Sequence, residues 1–131
     1  MALLIVPSFA SAAPPTLTAS SPLGVPRGHA TEVTLRGTGL GDGPRLVAPF
    51  AFQLEESAGS GSDASRWKFR LTIDDRTAVG VYPIRVATEA GASGPILFAV
   101  GQVAQAAEIE PNNTIDCAQP IANPSVVEGE C

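Results

Sequence analysis

Two cysteines, one histidine, one tryptophan and one tyrosine are all that 131 residues supply of the side chains that most often carry chemistry. With His29 the only imidazole, a serine or cysteine triad has no base to build on, and a zinc centre made from two thiols lacks further soft ligands. Long apolar runs are also missing: nothing approaches the roughly 20 consecutive apolar residues that span a bilayer as a helix. Positive charge is scarce too. Eight Lys and Arg stand against thirteen Asp and Glu, a formal charge of -5, which is the reverse of the basic footprint that a phosphate backbone requires and excludes nucleic acid as a partner.

What is present is a folded composition with frequent punctuation. Hydrophobic residues make up 44% of the chain, while Gly 13 and Pro 12 interrupt it often, so short strands separated by turns are favoured over helices. The length suits one domain of ordinary size and a short appendage. Charge divides the chain the same way. Between Pro14 and Ala104 basic and acidic residues balance, eight each, whereas from Gln105 onward there are Glu108, Glu110, Asp116, Glu128 and Glu130 and no base. The whole net charge lies in the tail.

Residues 1–13, MALLIVPSFASAA, carry no charge and end in small residues of the kind signal peptidase cuts, which reads as a secretory leader and places the protein outside the cell or in its envelope. The alternative is a merely apolar N-terminus. In an exported protein Cys117 and Cys131 could close a short loop, stabilising by about 3 kcal/mol on the chain-entropy estimate; an intermolecular bond or free thiols are the other outcomes.

The strand pattern is explicit. In residues 31–36 Val33 and Leu35 alternate with Glu32, Thr34 and Arg36; in RWKFRLTI, residues 66–73, Trp67, Phe69, Leu71 and Ile73 alternate with Arg66, Lys68, Arg70 and Thr72. Such a period of two predicts half-buried strands, and a one-residue slip in the second would bury three cations. Shorter strands are expected at 46–48 and 50–54 with Pro49 as a bend or edge position, then a strand with Tyr82, Ile84 and Val86 inward, a turn over 89–94, and a returning strand with Ile96, Phe98 and Val100 inward. About seven such strands over some ninety residues predict an all-β, antiparallel β-sandwich with an acidic C-terminal extension.

PTLTASSPLGVPRGHATEVTLRGTGLG followed by AVGVYPIRVATEAGASGPILFAVG resembles the immunoglobulin-like IPT/TIG domain, with its Pro-rich start, Gly before the second strand, Gly-rich turn after it and a late Gly-x-Tyr strand. The resemblance covers residues 14–101 and implies a spacer or a surface contacting proteins or glycans. Residues 102–131, with EIEPNNTIDCAQPIANPSVVEGEC, resemble the opening of the bacterial pre-peptidase C-terminal domain of secreted proteases and other large exported proteins. Only that opening is matched. The resemblance implies a contribution to a Ca²⁺ site from Glu108, Glu110, Asn112 and Asn113; a hard cation wants six to eight oxygens, so four side chains make an incomplete shell. The other reading of the same stretch is a solvated acidic linker.

Other features point away from catalysis. GTGLGDG at 37–43 lacks the Gly-x-Gly-x-x-Gly spacing and the Gly-Lys-Ser/Thr of phosphate loops, and Pro44 follows it, so it is read as a turn. Asp74 and Asp75 are adjacent and suit a chain reversal better than a paired acid and base. Arg66, Lys68 and Arg70 form a row that suits either acidic polysaccharide or plain solvation. Asn112-Asn113-Thr114 fits an N-glycosylation sequon. The expectation is a non-catalytic, secreted or surface binding module for proteins or polysaccharide. The alternatives are the accessory part of a secreted enzyme, a peptidase by the second resemblance, and a structural repeat of a larger surface protein.

Overall fold

The computed structural model describes residues 12–41, 43–57 and 63–129. Most of the leader expected over 1–13, and Cys131 with any bond it makes to Cys117, lie outside the described residues. Among the described residues eleven strands follow one another: β1 (Thr16–Ser21), β2 (Gly24–Pro26), β3 (Thr31–Thr38), β4 (Arg45–Val47), β5 (Phe52–Glu56), β6 (Arg66–Ile73), β7 (Gly80–Thr88), β8 (Gly91–Ala92), β9 (Ile96–Gly101), β10 (Ala104–Ala107) and β11 (Ser125–Glu128). One 3-10 turn, Ile115–Cys117, interrupts them.

One sheet has the order β1-β3-β6-β5 and the other β2-β9-β7-β4, with β8 paired to β7. Setting aside the short β2 and β8, the seven remaining strands of the two sheets are arranged as the ABED and CFG sheets of an immunoglobulin constant-type sandwich. The fold is therefore an all-β sandwich, as the alternation predicts, with the immunoglobulin-like strand order that the resemblance implies. All ladders in these sheets are antiparallel except β2 with β9, which is parallel. The first edge segment thus begins in one sheet, breaks at Pro22-Leu23, and continues in the other.

Register follows the hydrophobic pattern. Val33 lies opposite Phe69 and Leu35 opposite Trp67, so the apolar members of both alternating strands fall on one face. With Leu71, Ile73, Ile84, Val86, Phe98 and Val100 they close a core in which each side chain is at least 99% buried. Each such side chain stabilises by about 1.5–3 kcal/mol relative to exposure. Tyr82, expected inward, is partly buried against this core; its hydroxyl donates to the Ala78 carbonyl at 2.7 Å, the tyrosine corner that ties the start of this strand to the preceding bend. Phe50 packs edge-on against the same ring, at 5.5 Å between centroids.

Two glycines permit close strand approach. A Cβ on Gly37 would meet the backbone oxygen of Thr16, and one on Gly24 would meet the carbonyl of Ala99, so β3 and β2 can approach their neighbours only without side chains there. Near Gly37 the β1 ladder slips by one residue between Leu17 and Ala19, and the extra residue, Thr18, donates its hydroxyl to the Arg36 carbonyl at 3.0 Å.

The Gly-rich turn adds something the sequence pattern hides. Gly39 and Gly43 have φ of 68° and 55°, and between them Leu40 is fully buried, its amide held by the Ala64 carbonyl at 2.8 Å. The turn is a plug for the end of the core.

Candidate functional site

The acidic tail does not simply run off into solvent. After β9 the chain turns within two residues into β10, which pairs in parallel with β11, Ala104 opposite Ser125 through Ala107 opposite Glu128. The ladder is extended by the Glu108 amide donating to the Glu128 carbonyl at 2.8 Å. Glu128 then reaches the sandwich: its Oε1 accepts the Leu23 amide at 2.8 Å, just where the edge strand breaks between the two sheets. A carboxylate from the tail therefore satisfies a backbone donor that the strand break leaves without a ladder partner.

Between tail and sandwich lies a groove of about 370 Å³, with Ala19, Ser20, Ser21, Leu23 and Arg36 on one wall and Glu108, Glu110, Glu128 and Gly129 on the other. Three carboxylates and one guanidinium line it. Of the four residues expected at a Ca²⁺ half-site, three are drawn together here: Asn112 Nδ2 donates to Glu108 Oε1 at 2.6 Å, and the Asn112 amide donates to Glu110 Oε2 at 3.0 Å. Asn113 stands exposed. The carboxylates are thus engaged by N–H donors within the turn, and among the described residues no group of three His, Cys, Asp or Glu is placed to hold a metal. As arranged, the segment is a hydrogen-bonded turn; a cation would have to displace Asn112 and recruit further oxygens.

The cationic row is partly matched within its own sheet. Lys68 pairs with Glu32 at 2.9 Å, and Arg70 stands in register with Glu32 on one side and Glu55 on the other. Arg66 faces Arg36 across the ladder, with Asp63 nearby. The Asp63 carboxyl is held below the ordinary carboxylate range, first by the Ser65 hydroxyl, which donates at 2.6 Å, then by the Ser65 amide, with Arg66 adding a smaller attraction. His29 is exposed in its turn, its Nδ1 3.1 Å from the Arg27 carbonyl. Asp74 accepts the Arg76 amide at 2.8 Å and so caps a chain reversal.

Two features escaped the sequence reading. Ser93, inside the GASG stretch, is 2% exposed: its hydroxyl accepts the Val86 amide at 3.0 Å and donates to the Gly94 carbonyl at 2.8 Å, taking a ladder position that β8 is too short to fill. The second is the outer face of the β2-β9-β7-β4 sheet, where Leu97, Val81 and Val47 stand exposed at 70%, 63% and 48%. Its sequence signal is apolar residues at the outward positions of alternating strands, easily read as part of a continuous buried run. Among the described residues no helix is long and apolar enough to cross a membrane. No protein-family model matches the chain, and no curated protein sequence matches it.

Proposed function

We propose that the chain is a non-catalytic module of the IPT/TIG kind, exported or held at the cell surface, that contacts proteins or glycans and sets the spacing between neighbouring parts of an assembly. The observation that carries this reading is the join between sandwich and tail. β9 passes into β10 through two residues, and the tail is tied back by the Glu128 to Leu23 bond, so whatever follows the sandwich departs in a fixed direction. An exit tied to a sandwich whose loops and edges remain at the surface suits a spacer with binding capacity. Ca²⁺ would enter such a module only with oxygens beyond those of Glu108 and Glu110.

The test is to fractionate the source cells and to titrate the purified chain against acidic and neutral polysaccharides and envelope proteins. Recovery from the secreted or envelope fraction with saturable binding supports the reading. A cytosolic location, or hydrolase turnover by the purified chain, overturns it.

A second reading has its own observation. Ile109, Ile115, Ile121, Val126 and Val127 are all exposed in the tail, a density of apolar side chains that a neighbouring module would cover. This favours an accessory unit of a larger secreted enzyme, a peptidase by the resemblance of the tail. Intact mass measurement of the native species separates the two: a mass well above 13.4 kDa supports the accessory unit, and one at or below it supports the free module.

A further inference from the structure

Each carboxylate of the groove between tail and sandwich is engaged through one oxygen only. Glu108 Oε1 accepts the Asn112 side-chain amide, Glu110 Oε2 the Asn112 backbone amide and Glu128 Oε1 the Leu23 amide. Glu108 Oε2, Glu110 Oε1 and Glu128 Oε2 are left without a donor among the described residues. Backbone shape keeps a place for one of them: a Cβ on Gly129 would collide with Glu108 Oε2, and the bare glycine lets that oxygen stand in the wall.

The facing wall carries an independent sign of a ligand. Ser20 lies on β1 in register with the buried Leu35 and is only 7% exposed, yet it lines the groove, and among the described residues no partner meets its hydroxyl. A hydroxyl so withdrawn from water ordinarily has a hydrogen-bond partner, and the groove is the way by which one reaches it. Beside it Leu23, 57% exposed, offers an apolar surface, and Arg36 stands in no ion pair among the described residues.

We propose that this groove takes the side chain of a lysine presented by a partner protein. The proposal rests on the reading of the chain as a protein-contacting module and narrows it to one surface and one side chain. Three free carboxylate oxygens against one guanidinium select a cation, and among the described residues no three acidic groups are placed to hold a metal, so the cation is an organic one. A lysine fits part by part. Its stem lies along Leu23 and Ala19, its ammonium has three donors for the free carboxylate oxygens and the Ser20 hydroxyl, and Arg36 is left to donate to a carbonyl of the partner's backbone. Arginine fits less well, because its planar fork wants both oxygens of one carboxylate and each carboxylate here has one already taken.

The experiment follows the backbone amide shifts of the full chain by NMR during titration with the capped tripeptide acetyl-Ala-Lys-Ala-amide, with its Gln and Arg counterparts, and with calcium chloride alone. The peptides are taken to about 10 mM, since so small a contact is expected to have a Kd of roughly 1 mM. The lysine peptide should shift the Ser20, Leu23 and Glu108 amides saturably, the arginine peptide less tightly, and the glutamine peptide not at all. Glu108→Gln and Glu110→Gln keep an acceptor for Asn112 while removing charge, and each should weaken binding by about fivefold at low salt and by less at high salt. Ser20→Ala should weaken it by about threefold, with the urea midpoint checking that the fold is kept. Glu55→Gln, on the far edge strand of the same sheet, should leave it unchanged. Equal binding of the glutamine peptide, tighter binding of the arginine peptide, a lysine response indifferent to both Gln variants, or groove shifts with calcium but none with lysine overturns the proposal. Saturable binding of envelope proteins without a lysine response also overturns this site while the protein-contact reading stands; a lysine response from a protein found in the cytosol supports the site and removes the export reading alone.

Discussion

The sandwich and the tail are held by different physics. Among the described residues of the sandwich thirteen hydrophobic side chains are buried, with strands placed in register by apolar pairs such as Val33 with Phe69. Among residues 102–106 and 108–129 none is buried, and the order there comes from backbone ladders and a few carboxylate acceptors. Burial stabilises cooperatively, since removing one side chain loosens its neighbours, whereas each exposed hydrogen bond contributes a modest and separate amount. One cooperative body with a locally opening appendage is the expected behaviour.

The strongest way to break that contrast is Phe69→Ala. Phe69 is fully buried and lies 4.4 Å from the Trp67 ring centroid, so truncation leaves a cavity in the centre of the core and should cost about 3–5 kcal/mol in urea unfolding. The tail's amide exchange at native conditions should be far less altered than that of β6. Next comes Ser93→Ala, which strands the Val86 amide in a buried position and should cost about 1–3 kcal/mol; Ser93→Thr, which keeps the hydroxyl, should recover part of that if its extra methyl is accommodated. Tyr82→Phe keeps the ring packed on Phe50 but removes the bond to Ala78, an expected loss of about 1 kcal/mol in the same assay.

How far the sequence disclosed these features depends on whether they repeat. Trp67, Phe69, Leu71 and Ile73 repeat with period two over a full strand, and their burial and register are legible because any slip reverses every side chain. Leu17, Val25 and Leu40 are buried too, but each is isolated among Pro, Gly, Ser or Thr, where no period exists. Leu40 was hidden inside a turn motif, and Ser93 inside another. The tail shows the opposite failure. Its acids and its Pro-Asn-Asn run were visible and suggested cation ligands or a linker, yet β10 and β11 are four residues each and rich in Ala, Ser and Val, with seventeen residues between them. Parallel pairing at that separation leaves no local signal, since neither strand alternates strongly and no single tight turn joins them. Nor could composition show that Glu128 would accept the amide of Leu23 from 105 positions away.

That last contact gives the finest test of the comparison. Glu128→Ala removes the acceptor from the Leu23 amide, and with it a tie between tail and sandwich, but deletes no backbone partner of the β10–β11 ladder and nothing in the core. Global stability should therefore change by less than about 0.5 kcal/mol, as for a surface substitution, while the Leu23 amide and the donors of the ladder lose protection in hydrogen exchange. Glu128→Gln, whose side-chain oxygen can still accept, should restore most of the protection, because geometry rather than charge makes the bond. If instead Glu128→Ala lowers the unfolding midpoint as Tyr82→Phe does, the tail belongs to the cooperative body, and the strand break at Leu23 is a structural joint that transmits the loss of one carboxylate into both sheets.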